Sequence, residues 1–407
     1  MQLSTSPCPR ELNMGDMLDT HFPLPTASVN WNAGWVGALP PYAAELATLR
    51  HNCCAAIYEH NSACQSRIGY DAQQTMPRLQ RVLAYADKLC AICTDRRSKS
   101  GISTKLQQQH HRRNFPLQFE WCFPAEADSL GHAAAECVGH TLPGFEYICL
   151  LSCVCIGLTH AAELSRDYGD YPSAACMYAE CINVVNTRVK SAVGAALNAA
   201  QWNSLHRKGV PMQLLPTWLA VLSAKASHRA QLCAIMHVAN GTSDSMQSPV
   251  LVQLTRQAYC TIKFLLRCVR RFLTLEHYLS PRQEEVAKEL YNNVHIEAHR
   301  LRIQCFLQET EPIMLEGSAP VACSLLSACR ESVEVVWPNE STADSSDLEL
   351  RNQVLETIIE LETSASKSSS SDLNCTDAMA CEAFTQHERL EALIAQSECL
   401  HWAEVFG

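Results

Sequence analysis

The sequence predicts an all-α fold with a minor β element near the N-terminus, and three patterns carry that prediction. Six of the 18 prolines precede residue 42, and proline-free windows then open at 173–210, 217–248, 250–280, 282–311 and 339–407. Apolar residues in those windows recur three and four apart, the spacing that lines one side of a helix. One short segment, 117–123, alternates with a period of two instead, setting Leu117, Phe119, Trp121 and Phe123 on one side of a strand.

Taken in order, the first 40 residues read as irregular, with at most a short strand pairing, and 41–407 as a single helical domain. Leu46, Leu49, Cys53 and Ala56 define the apolar face of a helix over 43–65, and a second helix is expected over 76–95. The stretch 96–114 is basic and polar and reads as an exposed loop. Further helices are expected at 145–166, 172–198, 214–238, 249–278, 282–309, 319–335, 345–363 and 378–402. Tyr168-Gly-Asp-Tyr171 has the composition of a sharp helix–helix turn, and Gly169 to Ala179 carries the small-and-aromatic pattern of a tetratricopeptide helix without a strict 34-residue repeat. Polar runs at 338–346 and 363–372 read as mobile loops.

Composition narrows the function. Hydrophobic residues make up 47% and charged residues 18%, so a large core can form. A net charge of −10 disfavours a general nucleic-acid binder, which needs a basic face to displace counterions from phosphates. The longest apolar run, Tyr147 to Leu158, looks too short to span a membrane, and the N-terminus lacks the layout of a secretory signal. A cytoplasmic chain is the expectation, and its 22 cysteines then read as buried free thiols.

No motif supplies an active site. The glycine-rich phosphate cradles and the nucleophile elbow are missing, so neither a cofactor nor a small-molecule substrate is expected. Cys90 and Cys93 form a C-x-x-C that could be a redox pair or half a zinc site, but residues three apart share a helical face and packing explains them. His295 and His299 stand four apart in metal-clamp geometry without a signalled third ligand. Arg96, Arg97, Lys99, Lys105, Arg112 and Arg113 are candidates for contact with acidic phospholipid, at about 1 kcal/mol per charge near the surface.

The order of elements resembles a known family. Glu45 to Arg50 and Val82 to Cys90 are similar to the opening helices of BRO-one domains, and Phe119-Glu-Trp121-Cys-Phe123 to the family's F-x-W-x-D-x-F segment. Phe145 to Leu151, Ala174 to Val189, Leu222 to Ala226 and Val250 to Tyr259 resemble successive family helices, as do Glu297 to Arg300 and Pro320 to Leu326. The likeness spans about residues 43–336 and departs at Ser152-Cys153, where the family has Phe-Asn, and at His228-Arg229.

The resemblance implies a curved helical solenoid with a tetratricopeptide-like core. It also implies a non-enzymatic, ALIX-like scaffold associated with endosomes, in multivesicular-body sorting. The expected partner is the C-terminal amphipathic helix of an ESCRT-III subunit, held in an apolar groove. Val250 and Leu254 stand at the matching groove positions, with Leu232 on the preceding helix a further candidate. The alternatives are an adaptor for another partner, such as a pH-signalling calpain-like protease, and a metal protein using the Cys and His pairs.

Overall fold

The computed structural model describes residues 24–25, 42–66, 72–98, 119–123, 136–140, 143–189, 215–241, 249–275, 279, 281–316, 318–338 and 345–369. Among these, nine α-helices carry nearly all the regular structure, the all-α class that the spacing predicts. The chain divides into two compact units. Asn13–Ala230 with Arg271–Ala287 make the first, and Gln231–Arg270 with the residues from Lys288 onward make the second. The span read from sequence as one domain thus contains two compact bodies.

In the first unit, helices α1 (Tyr42–Ser66), α2 (Ala72–Ser98), α3 (Pro143–Asp167) and α4 (Tyr171–Asn183) pack as successive neighbours. The middle of helix α3, residues 148–158, is buried on every side, as in a helix enclosed by others; Phe145, Leu151, Val154 and Ala162 are all buried. This corrects one expectation. Gly144–Asp167 is long and apolar enough to cross a membrane by length and composition, although 78% of its most apolar window is buried inside the protein, as in a core helix.

A three-stranded antiparallel sheet lies against α3 and α1. Its strands are β1 (Leu24–Pro25), β2 (Phe119–Phe123) and β3 (Glu136–His140), paired with Pro25 opposite Trp121 and Trp121 opposite Val138. Phe119 and Trp121, two apart, are both buried.

The turn between α3 and α4 follows from its residues. Gly169 adopts φ +80°, the left-handed conformation that closes many helices. The Gly169 N–H donates to the Arg166 carbonyl and the Asp170 N–H to that of Ser165, both at 2.8 Å, the paired bonds of a Schellman motif. The Asp170 carboxylate then accepts from the Ser173 N–H at 3.2 Å and caps α4, while Pro172 fits a first turn where its missing N–H costs nothing. Beyond Asn183 the chain widens into a π-helix, Val184–Val189. The helix expected over 172–198 is therefore shorter and changes type, and its last residues lie outside those described.

The second unit takes the end of α5 (Pro216–Gly241), most of α6 (Pro249–Leu275) and α7 (Pro281–Leu315), and all of α8 (Ala319–Val336) and α9 (Ser345–Ser369). Tyr259 meets Phe306 edge-on at 6.3 Å between α6 and α7, and Arg256 pairs with Glu309 beside them. Arg330 joins α8 to α9 through two bonds to Glu362, at 2.8 and 2.6 Å.

Two loop readings need correction. The serine-rich stretch from 363 stays helical to Ser369, and Thr363, Ser364 and Ser366 donate their hydroxyls to carbonyls four residues back at 2.7 to 2.9 Å instead of competing for the helix's own N–H groups. Helix α2 likewise continues to Ser98, past the expected start of the basic loop, since nothing before Gly101 interrupts it. The helix expected over 378–402 lies outside the described residues.

Candidate partner-binding face

Helix α6 begins at Pro249 and divides its residues by face. Leu251, Leu254, Ala258, Ile262, Leu265 and Val269 follow the three-and-four rhythm of a core stripe, and all are buried. The opposite side carries Val250, Gln253, Phe264 and Arg267 in the open. Val250 is 52% and Phe264 53% exposed, and they lie about four turns apart on nearly the same side of the helix. They are two separate apolar side chains in the open, about 21 Å apart along the helix axis.

The charged residues of α6 itself have one sign. Helix α6 contains Arg256, Lys263, Arg267, Arg270 and Arg271 and no acidic residue, within a chain of net charge −10. The Glu309 side chain holds Arg256, keeping its guanidinium pKa raised against the cost of burial. Lys263 sits over the Tyr259 ring at 5.1 Å, and Arg267 donates to the Lys263 carbonyl at 3.4 Å. This face suits a partner that is apolar along a stripe and acidic at its edges.

The structure distributes the residues proposed from sequence. Val250 is on the exposed face and Leu232 is half-buried on α5. Leu254 is only 1% exposed, so its side chain belongs to the core and a partner could not reach it without unfolding the stripe. The reason is angular: Leu254 is one turn from Val250 but rotated toward the row of Leu251 and Ala258. Phe264 was missed, although its place on Val250's side of the helix was a readable signal. Arg96 and Arg97 fall in the final turns of α2, while Lys99, Lys105, Arg112 and Arg113 lie outside the described residues.

Of the residues weighed as metal ligands, Cys90, His295 and His299 engage other groups, and the Cys93 side chain lies outside those described. The Cys90 thiol hydrogen-bonds with Tyr147, whose pKa burial and that neighbour push up to about 12. His295 stacks on Tyr291 and meets the His299 ring edge-on at 4.7 Å. His299 Nδ1 lies 3.0 Å from the Ser332 hydroxyl, and burial, then His295 and Arg302, lower its pKa. Among the described residues no three His, Cys, Asp or Glu side chains gather as a metal would require.

A second polar cluster lies inside the first unit. Glu146, in the first turn of α3, is fully buried and accepts hydrogen bonds from three other elements. Arg50 Nε of α1 donates at 2.9 Å, the Tyr85 hydroxyl of α2 at 3.2 Å, and Trp121 Nε1 of β2 to the second carboxylate oxygen. Burial opposes the Arg50 charge, yet the Glu146 carboxylate keeps that pKa raised; burial and the same carboxylate push the Tyr85 phenol well up. With Arg50, Tyr85 and Trp121 as its donors, the carboxylate ties three elements to α3 rather than presenting a reactive group.

No family model matches the sequence, and no curated protein matches it. Solved structures do. ALIX in complex with the SIVmac239 PYKEVTEDL late domain aligns over 84% of this chain with a TM-score of 0.55 and 14% identity. This chain spans 44% of that one's length. The ALIX BRO1–CHMP4C complex aligns over 86% of this chain and 88% of its own, with a TM-score of 0.54 and 14% identity. A Bro1 domain described as a basis for endosomal targeting aligns over 95% and 97%, with a TM-score of 0.54 and 13% identity. Identities this low speak for architecture alone, and the architecture of this chain is a distant Bro1-domain-like helical fold.

Proposed function

We propose that this protein is a non-enzymatic adaptor that binds the C-terminal amphipathic helix of an ESCRT-III subunit and acts in the cytoplasm at endosomal membranes. One observation carries the reading: the Val250–Phe264 side of α6, where two large apolar side chains stand exposed on a helix whose charged residues are all basic. An amphipathic helix with acidic flanks would bury both anchors and meet Lys263, Arg267 and Arg270 with opposite charge. The ALIX BRO1–CHMP4C complex supports it by precedent, because a chain of the same fold is found there with CHMP4C. Contact of the Arg96–Arg113 basic segment with acidic phospholipid is a secondary part of the proposal.

The test is a titration of labelled C-terminal helices of ESCRT-III subunits with the full chain. Dissociation constants of roughly micromolar order are expected, about −8 kcal/mol. Phe264→Asp should weaken binding at least about tenfold while leaving the protein folded, since an interface anchor contributes more than 1 kcal/mol. A folded wild-type protein that binds none of these helices would refute the ESCRT-III reading. Binding unaffected by Phe264→Asp would move the site off α6.

A further inference from the structure

The turn at Gly169 lays α4 back along α3 and brings together two thiols, Cys155 of α3 and Cys181 of α4. Both are free and buried, each about 1% exposed. Cys181 Sγ lies 3.7 Å from the Cys155 carbonyl oxygen and 3.7 Å from Thr159 Oγ1, and the two thiols hydrogen-bond to each other. They line a small cleft with Thr159, Tyr178, Leu222 and Lys225. Thr159 and Leu222 are only half-buried, so the cleft has a rim at the surface.

We propose that Cys155 and Cys181 form a hydroperoxide-sensitive dithiol that closes reversibly to a disulfide between α3 and α4, with Cys181 meeting the oxidant first. The Cys181 sulfur attacks one oxygen of hydrogen peroxide and the O–O bond breaks. The departing hydroxide takes the thiol proton and leaves as water, giving a sulfenic acid. The Cys155 sulfur then attacks the sulfenic sulfur. An S–S bond forms, hydroxide is expelled, and it takes the Cys155 proton as a second water. Two thiols are oxidised by two electrons and one peroxide is reduced to two waters. A small cleft of this kind suits a small oxidant.

The surroundings of the two sulfurs differ from those of the other buried thiols. Hydrogen bonds from Cys155 and then Thr159 lower the Cys181 pKa even against burial, whereas Cys155, as donor, is pushed well up. Burial and then the Glu146 carboxylate push Cys149 and Cys153 well up, so those thiols stay protonated and inert. The same chain therefore contains both kinds of buried cysteine.

The test exposes reduced full-length protein to increasing hydrogen peroxide, alkylates remaining thiols under denaturing conditions, and maps peptides without reduction. A peptide pair joining Cys155 to Cys181, two hydrogens lighter than its parts and released by a thiol reductant, should appear no later than oxidation of the exposed Cys176 and Cys323. In Cys155→Ser the link should vanish and a dimedone-reactive sulfenic acid should remain on Cys181. Oxidation of Cys176 and Cys323 with Cys155 and Cys181 still alkylatable would overturn the proposal, as would a link from either to another cysteine. The wild-type map decides this whether or not the variant folds.

Discussion

Glu146 and the outer face of α6 are both polar places in an apolar framework, and they resolve charge in opposite ways. Around Glu146 one buried carboxylate accepts hydrogen bonds from a guanidinium, a phenol and an indole, at 2.9 and 3.2 Å for Arg50 and Tyr85. On α6, Lys263, Arg267 and Arg270 have no acidic neighbour on their own helix, and Phe264 is left 53% exposed. A buried carboxylate held by donors from three elements fixes structure, whereas a helix with charges of one sign beside exposed apolar groups is suited to recognition. The difference gives each region its own expected response to mutation.

The largest contrast lies within α6. Leu254→Asp places a carboxylate in the core and should cost roughly 5 kcal/mol, enough to unfold a domain of ordinary stability. Phe264→Asp, on the exposed side, should shift stability by no more than about 0.5 kcal/mol. Urea denaturation of the two variants measures both, and equal losses would show that Phe264 is core.

Glu146→Ala leaves Arg50 buried without its carboxylate and should cost about 3–5 kcal/mol, read from the same titration. A loss under 1 kcal/mol would mean that water replaces the carboxylate and that the cluster is no strut. Gly169→Ala meets no atom within 4 Å, so its cost is the backbone's alone, about 1–2 kcal/mol for a left-handed φ. The expected fall in melting temperature is a few degrees.

The smallest effect tests an exposed pair. A hydrogen bond from Arg330 holds the Glu362 carboxyl below its usual range. Its folded pKa is thus lower than its unfolded one, so the contribution is present above the unfolded pKa and is lost as pH falls through the folded one. With side chains 45% and 34% exposed, screening leaves only a few tenths of a kcal/mol. Glu362→Gln should therefore match wild type at acidic pH and fall slightly below it near neutrality.

The fold was more legible than the site. Proline spacing and the three-and-four rhythm locate α1, α3, α5, α6 and α8 to within a few residues, because those signals are local. Leu254 shows where locality ends: an aliphatic pair four apart leaves open which member turns inward until the whole stripe from Leu251 to Val269 is considered. The serines after Glu362 read as a loop because serine-rich composition favours turns, whereas here α9 continues through them to Ser369. Glu146 was visible only as one residue of a resembling helix. Its partners stand 96, 61 and 25 residues away, separations no spacing rule connects.

The one-signed composition of α6 also bears on speed. Helix α6 has five positive charges, one of them paired with Glu309, within a chain of net charge −10, so it is a locally basic stretch of an acidic protein. An acidic ligand would be steered toward α6 during diffusion, before any apolar contact forms. Steering acts over the Debye length, about 30 Å at 0.01 M salt and about 8 Å at 0.15 M. Association at this face should slow steeply with added salt while dissociation changes much less, so ionic strength would govern how quickly a partner arrives rather than how long it stays.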